Sequence, residues 1–215
     1  MEKEVVEQLW PMIDGFEQAF NKSLSELFGQ TMAQNILDYA RVALMDVIPV
    51  IPPVSSTSPW LKNIIGVSYE IGIWKQLEQQ GMSLEDISIL TRNVLFDVTS
   101  KMPKDVRQNA CSVILSSAYN RKISDESKKL DRANNWQIDF INTFPDKHFD
   151  IGLNITSCPI IKLCRELDVE RYVSYFCKND YATYAALGIT LTRSHTLAQG
   201  NEYCDFRLSK NQIYE

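Results

Sequence analysis

The last quarter of the chain concentrates residue types that can together bind and attack a small polar molecule. Thiols can act as nucleophiles, a carboxylate can transfer protons, and a guanidinium group can grip a carboxylate through two parallel hydrogen bonds. This segment is therefore predicted to hold the functional site. Its candidate catalytic residues are Cys177, Asp180 and Cys204, and its candidate binding residues are Cys158, Arg193, His195 and Arg207.

Two of these cysteines are expected near the N-terminal ends of helices. Pro159 suits the first turn of a helix, which makes Cys158 the predicted N-cap residue. A further helix is predicted over about residues 179–187, so Cys177 would lie at or just before its start. Backbone N–H groups and the helix dipole favour a thiolate there and predict a lowered thiol pKa. The alternative is that both cysteines are small residues that fill turns between strands and helices.

A predicted strand over about residues 188–196 places Arg193 and His195 on its apolar face. A buried arginine needs an anionic partner. That partner is either a protein carboxylate, Asp180 or Asp205, or the carboxylate of a substrate. His195 is the best-placed general base of the cluster, although a lone histidine is more often a hydrogen-bonded structural residue.

The final predicted strand covers about residues 202–209, after a turn at Gly200 and Asn201. Cys204 and Phe206 share one face of this strand, whereas Asp205 and Arg207 share the other. Asp205 and Arg207 could form a surface ion pair of little energetic value. A close turn would instead bring Cys204 against the end of the preceding strand.

A structural zinc site is the alternative use of this cluster. Cys158, Cys177, Cys204 and His195 match zinc in donor type. The gaps of 19 and 27 residues between the cysteines are unlike those of compact zinc sites, which favour paired C-x-x-C motifs. The sequence therefore predicts no metal. It predicts no cofactor either, because it contains no P-loop, dinucleotide-binding fingerprint or H-E-x-x-H motif.

The elements that position these residues follow from hydrophobic periodicity and from proline and glycine positions. The first half predicts helices over about residues 1–20 (broken near Pro11 and Gly15), 25–47, 60–80, 83–102 and 106–120. The second half predicts strands over about residues 136–140 and 149–155 around Pro145-Asp146, a helix over 159–167, and the helix and two strands described above. The pattern indicates an α+β fold in which a helical N-terminal half packs on a small antiparallel sheet formed by the C-terminal half. Residues 1–48 would be an N-terminal helical segment and 49–215 the main domain, as one compact unit.

Composition favours a soluble, cytoplasmic protein. Hydrophobic residues make up 45% of the 215 residues and charged residues 23%, which is ordinary for a globular domain. The net charge of −5 gives no reason to expect nucleic acid or an anionic membrane as partner. Five cysteines are an odd number at irregular spacing, so free thiols rather than a disulfide framework are expected. The N-terminal helices could form a homodimer interface.

The chain resembles the L-2-amino-thiazoline-4-carboxylic acid hydrolase family over about residues 50–210. The specific part of this resemblance lies in the last fifty or so of these residues. The resemblance implies a bacterial hydrolase that opens a cyclic amidine-like ring and releases N-carbamoyl-L-cysteine. The matching residues are Ser157-Cys158-Pro159-Ile160, Cys177-x-x-Asp180, Leu191-x-Arg193, Thr196-Leu197-Ala198-x-Gly200 and Cys204-Asp205-Phe206-Arg207.

The chemistry of such a substrate suggests a role for each residue. C2 of a thiazoline is an electrophilic carbon that a thiolate or an activated water can attack. Cys177 is the first choice as nucleophile and Cys204 the second, and Asp180 would transfer protons. Arg193 would hold the carboxylate of the substrate. Arg207 would orient Asp180 or the substrate, and Cys158 would shape the anion-binding side of the site.

A binding protein that performs no reaction is the main alternative. The same Cys, Asp and Arg side chains could hold a small molecule in order to sense or carry it. Such a protein would be stabilised by its ligand without converting it.

Overall fold

The computed structural model describes residues 10–56, 58–141 and 148–211. Six helices precede the sheet within this part of the chain, and two more lie between its strands. The helices are α1 (Trp10–Phe28), α2 (Gln30–Val47), α3 (Leu61–Gln79), α4 (Leu84–Ser100), α5 (Lys104–Ile114), α6 (Ser117–Ser127), α7 (Pro159–Glu166) and α8 (Val173–Ala186). The strands are β1 (Gln137–Ile141), β2 (Ile151–Ser157), β3 (Ile189–Thr192) and β4 (Cys204–Lys210).

The four strands form one antiparallel sheet in the order β1-β2-β4-β3. In the register of the two central strands, Leu153 faces Phe206 and Ile155 faces Cys204. These four side chains are buried, because this face of the sheet packs against the helices. The predicted α+β fold, with its helical first half and its sheet in the second half, is thus confirmed.

Helix α3 lies at the centre of the helical layer and is buried on all sides. Its residues from Ile64 to Trp74 are all buried, as expected for a helix that is apolar around its whole circumference. It approaches α2 closely at Gly72, where an added Cβ would lie 2.7 Å from the Cα atom of Ala40. A side chain at this position would therefore push the two helices apart, so glycine sets their separation.

Local signals placed several helix ends correctly. Ser83 accepts a hydrogen bond from the backbone N–H of Asp86 and caps α4. Gly81 has a φ of +85° just after α3, as expected of a glycine that ends a helix. Cys158 is the N-cap residue of α7, with Pro159 in the first turn.

Other boundaries differ from the predicted ones. Pro11 lies in the first turn of α1, where proline is tolerated, and that helix continues through Gly15. The break predicted near Gly15 is therefore absent, and α1 ends at Phe28, before Gly29 with a φ of +80°. The predicted helix over 106–120 is two helices, because the Ser116 side chain caps a new one at Ser117.

The predicted helix over 179–187 begins at Val173, six residues earlier. Asn and Asp often cap helices, but the side chains of Asn179 and Asp180 bond to groups outside α8. Neither residue therefore caps this helix. Strand β3 ends at Thr192, so Arg193 and His195 lie in the connection to β4 rather than in a strand. Gly200, with a φ of +83°, ends a short 3-10 helix in this connection.

The predicted turn at Pro145-Asp146 and the start of the first predicted helix lie outside the described residues. Over the residues that are described, no helix combines the length and apolarity needed to cross a membrane.

Candidate active site

A cavity of about 480 Å³ lies between the helical layer and the buried face of the sheet. Helices α1 and α3–α6 contribute one side of it, and α8, β2, β4 and Arg193 contribute the other. Five of the seven predicted site residues line this cavity. They are Cys158, Cys177, Asp180, Arg193 and Cys204.

Arg193 and Asp180 form an ion pair at the sheet side of the cavity. The Nη1 atom of Arg193 donates to Oδ2 of Asp180 over 2.8 Å. Its Nη2 atom donates to the backbone carbonyl oxygen of Cys177. The guanidinium carbon lies 4.7 Å from the centre of the Phe206 ring, within the range of a cation–π contact. Of the two protein carboxylates considered as partners of Arg193, Asp180 is therefore the one that pairs with it.

One of the three guanidinium nitrogens of this arginine is left over. The Nε atom of Arg193 is buried and has no hydrogen-bond partner among the described residues. The side chain is 3% exposed, so bulk water does not solvate it. An unpaired N–H of a buried guanidinium costs free energy unless a ligand or a bound water accepts its hydrogen bond. The ion pair therefore leaves Arg193 with capacity to bind an anionic group.

The carboxylate of Asp180 is more accessible, with 34% of its side chain exposed. Burial raises its pKa above the ordinary value, and the charge of Arg193 opposes this effect. Burial by itself lowers the pKa of Arg193, but Asp180 outweighs burial and the net pKa is raised. Asp180 is thus a carboxyl group with a raised pKa that lines the cavity, a property that suits a proton-transfer residue.

The three thiols of the cavity have raised pKa values, so the predicted lowering is wrong. Cys177 lies inside α8 rather than at its start, and burial, followed by the nearby charge of Asp180, raises its pKa. Cys158 is at a helix start as predicted, and the N–H groups of Ile160 and Ile161 favour its thiolate. Burial is the larger effect and raises its pKa to about 12. The free thiols are therefore neutral near pH 7.

Cys204 is held by the connection between β3 and β4. Its Sγ atom accepts a hydrogen bond of 3.2 Å from the backbone N–H of Leu197. Burial raises its pKa also, although this hydrogen bond opposes the shift. The connection thus brings Cys204 to the same cavity as Cys177 and Arg193.

His195 and Arg207 do not line the cavity. His195 is 53% exposed, and its imidazole Nδ1 lies 3.6 Å from Asp205. Asp205 itself accepts hydrogen bonds from the backbone N–H groups of Ser194 and His195, which fixes the connection between the strands. Arg207 donates to the carbonyl oxygen of Leu153 and to the side chain of Asn154, on the other face of the sheet.

Sequence reasoning missed Glu70, which lines the cavity from α3. Its side chain is buried, and its Oε2 atom accepts a hydrogen bond of 3.0 Å from Nδ2 of Asn179. Burial raises its pKa to about 8, while the bond from Asn179 opposes the shift. A signal was present, because Glu70 is the only charged residue between Lys62 and Lys75, in a mostly apolar stretch of the predicted helix.

The described residues contain no group of three or more His, Cys, Asp or Glu side chains that could hold a metal ion. Cys158, Cys177 and Cys204 line one cavity but do not form such a group, and His195 lies outside it. The arrangement is therefore one of neutral thiols, two carboxyl groups and a buried guanidinium around a space large enough for a small molecule.

Comparison with known proteins gives one match. The model of a family described as L-2-amino-thiazoline-4-carboxylic acid hydrolase matches residues 80–208, which is more than half of the chain. The matched range includes the five predicted residues that line the cavity but not Glu70. No curated protein and no solved structure matches the chain.

Proposed function

The chain belongs to the L-2-amino-thiazoline-4-carboxylic acid hydrolase family, and we propose that it opens the ring of a small cyclic amidine that carries a carboxylate. The substrate that suits this proposal is 2-amino-thiazoline-4-carboxylate. Water adds to C2 of the ring and the bond between C2 and the ring sulfur breaks. The sulfur takes up a proton, and the product is N-carbamoyl-cysteine.

The observation that carries this proposal is the position of Arg193. Its guanidinium is buried at the cavity, pairs with Asp180 through one edge and keeps an unpaired Nε atom. A ligand carboxylate that accepts from Nε would give each of the three guanidinium nitrogens a hydrogen-bond partner. It would also hold the ring beside Cys177 and Asp180, which lie one helical turn apart on α8.

We assign the attack on C2 to the thiol of Cys177. The thiol is neutral at pH 7, so its proton passes to Asp180 as sulfur bonds to C2. The bond from C2 to the ring sulfur then breaks, and Asp180 returns the proton to that sulfur. Water subsequently attacks the same carbon and releases Cys177, with Asp180 again as the proton carrier. Cys204 is the second choice for the nucleophile, and direct activation of water by Asp180 is the route without a covalent intermediate.

The experiment is turnover of 2-amino-thiazoline-4-carboxylate, with mass-spectrometric detection of N-carbamoyl-cysteine. For a covalent route, Cys177→Ser should lower kcat by about a thousandfold or more, since loss of a nucleophile removes the main path. Intact-protein mass spectrometry of the wild type should then detect an adduct that Cys177→Ser cannot form. The matched control is Cys111→Ser, because Cys111 lies on α5 and does not line the cavity.

The remaining variants separate the alternatives. Cys204→Ser identifies the second-choice nucleophile, and Asp180→Asn should lower kcat by either route. Full activity of both Cys177→Ser and Cys204→Ser, together with loss in Asp180→Asn, would assign the attack to water. Ligand-induced stabilisation without product in the wild type would indicate a binding protein instead of an enzyme.

A further inference from the structure

We propose that Glu70 is a substrate-binding residue that accepts hydrogen bonds from the planar N–C–N group of the substrate, so that the cavity selects a zwitterion. This inference rests on the proposed function and specifies how the cavity recognises the part of the ring that reacts. The ligand class is a small ring with a carboxylate at one end and an amidinium or guanidinium group at the other.

The first argument is the position of a carboxyl group where packing does not require one. Helix α3 buries both neighbours of Glu70, Tyr69 and Ile71, in the core of the protein. Glu70 is 5% exposed and has no cationic partner among the ion pairs of the described residues. A buried carboxyl group without such a partner destabilises the fold, so a structural role does not account for it.

The second argument is the unpaired oxygen beside it. Asn179 donates through Nδ2 to Glu70, while its Oδ1 atom is buried and has no hydrogen-bond partner. Both residues line the cavity, so a ligand there would have one acceptor from each of them. A planar N–C–N cation presents two N–H donors on one edge, which complements such a pair of acceptors.

The third argument is that the residues lining the cavity include one unpaired hydrogen-bond acceptor and one unpaired donor. Within the described part of the chain, three buried side-chain N or O atoms lack a partner, and two of them belong to residues that line this cavity. One is an acceptor, Oδ1 of Asn179, and the other is a donor, Nε of Arg193. Asn179 and Asp180 are adjacent in α8, so their Cα atoms are about 3.8 Å apart. Because Asp180 pairs with Arg193, helix α8 connects the unpaired acceptor to the unpaired donor.

The charges of the cavity support the same ligand. Apart from thiols and tyrosines, the ionisable groups that line it are the buried Glu70 and Arg193, the partly exposed Asp180 and the exposed Lys62. Burial keeps Glu70 protonated in the free protein at pH 7, since its pKa is raised to about 8. A bound cation would favour the carboxylate, so binding of a permanent cation should release the proton of Glu70.

The test uses two ligands that lack the reactive ring sulfur. One is 2-iminoimidazolidine-4-carboxylate, a cyclic guanidine with a permanent positive charge, and the other is the neutral cyclic urea 2-oxoimidazolidine-4-carboxylate. Isothermal titration calorimetry at pH 7 should show that the wild type binds the guanidine at least about tenfold more tightly, as a charge-assisted hydrogen bond implies. Glu70→Gln should lose most of this preference while its affinity for the urea stays within about twofold.

The number of protons released on binding can be measured with the wild type, so this part of the test does not depend on the stability of Glu70→Gln. Titrations in buffers of different ionisation enthalpy should show release of nearly one proton when the wild type binds the guanidine. Cys177→Ser should release the same number, which excludes the neighbouring thiol as the source. Glu126→Gln, an exposed substitution on α6, is the matched control for the loss of a carboxylate.

Two outcomes overturn the proposal, and both leave the function separately testable. Equal affinity of the wild type for the two ligands, or no binding of either, would exclude recognition of the cation by Glu70. Turnover of the thiazoline in the same preparation would then show that the hydrolase proposal survives. Failure of both turnover and binding would reject the two proposals together.

Discussion

The two sides of the cavity handle buried charge in different ways. The sheet side, formed by α8, β4 and the connection that contains Arg193, places a guanidinium against Asp180. The helical side, centred on α3, holds Glu70 with an amide as its partner instead of a cation. Charge is neutralised by pairing on the first side and by proton uptake on the second, as the raised pKa of Glu70 shows. A cavity built in this way can keep a paired charge for anchoring and an unpaired carboxyl group for a cationic ligand.

The largest expected effect on stability comes from breaking the pair on the sheet side. Arg193→Met leaves Asp180 without its cation, so we expect the free energy of unfolding to fall by about 3 kcal/mol or more. The partial exposure of Asp180 places the loss at the lower end of that range, because this carboxyl group can take up a proton. Urea unfolding at pH 7 measures the change.

Arg207→Met is the matched control for this substitution. Arg207 is a partly buried arginine that donates to neutral oxygens instead of a carboxylate. Its loss should lower stability by about 1 kcal/mol. Equal losses in the two variants would contradict a special role of the ion pair on the sheet side.

A pH dependence of comparable size belongs to the helical side. The folded protein keeps the Glu70 proton up to a pKa of about 8, whereas the unfolded chain releases it near the ordinary value of 4.5. The folded state thus binds the extra proton between these values, and its stability falls as the pH rises from about 5 to 8. Each unit of pKa difference corresponds to about 1.4 kcal/mol, so the whole contribution is a few kcal/mol.

Glu70→Gln should remove this part of the pH dependence. Urea unfolding of both proteins at pH 5, 6.5 and 8 gives the difference in slope directly. Other titrating groups, including Asp180, contribute to both proteins and cancel in the comparison. Parallel stability curves for wild type and variant would mean that Glu70 is ionised in the folded protein at neutral pH.

A smaller effect tests how the helical side is positioned. Gly72→Ala would place a Cβ 2.7 Å from the Cα atom of Ala40, so α3 and α2 must separate. We expect a loss of about 1–3 kcal/mol in thermal or urea unfolding, as for other overpacked sites. The control is Gly66→Ala, also on α3, where the nearest atom would be 3.6 Å away on Phe16. This control should be neutral or more stable by up to about 1 kcal/mol, because alanine favours a helix.

The smallest effect concerns α4, which packs against α8 and so connects the two sides. Ser83→Ala removes the side chain that caps this helix and should lower stability by about 1 kcal/mol. Ser112→Ala on α5 is the control, because its hydroxyl only donates to a carbonyl oxygen of its own helix. We expect that variant to stay within about 0.5 kcal/mol of the wild type in the same unfolding experiment.

Most helices and strands were predictable because they depend on neighbours in the sequence. The capping serine at residue 83, the proline after Cys158 and the alternation in the two central strands all act within a few residues. The prediction failed at the start of α8, where the two residues expected to cap the helix form tertiary hydrogen bonds instead. Asn179 bonds to Glu70 and Asp180 bonds to Arg193, which removed both from the capping role assumed for them.

The sequence by itself determined the α+β class, the position of the sheet and the residue types from which the candidate site is built. It also indicated that Arg193 needs an anionic partner, although Asp180, Asp205 and a substrate carboxylate all remained candidates. The tertiary structure decided which candidates share a cavity, since His195 and Arg207 lie outside it while Glu70 joins it from α3. It decided the protonation of the thiols as well. Desolvation depends on all atoms around a group, and most of those atoms are remote in sequence.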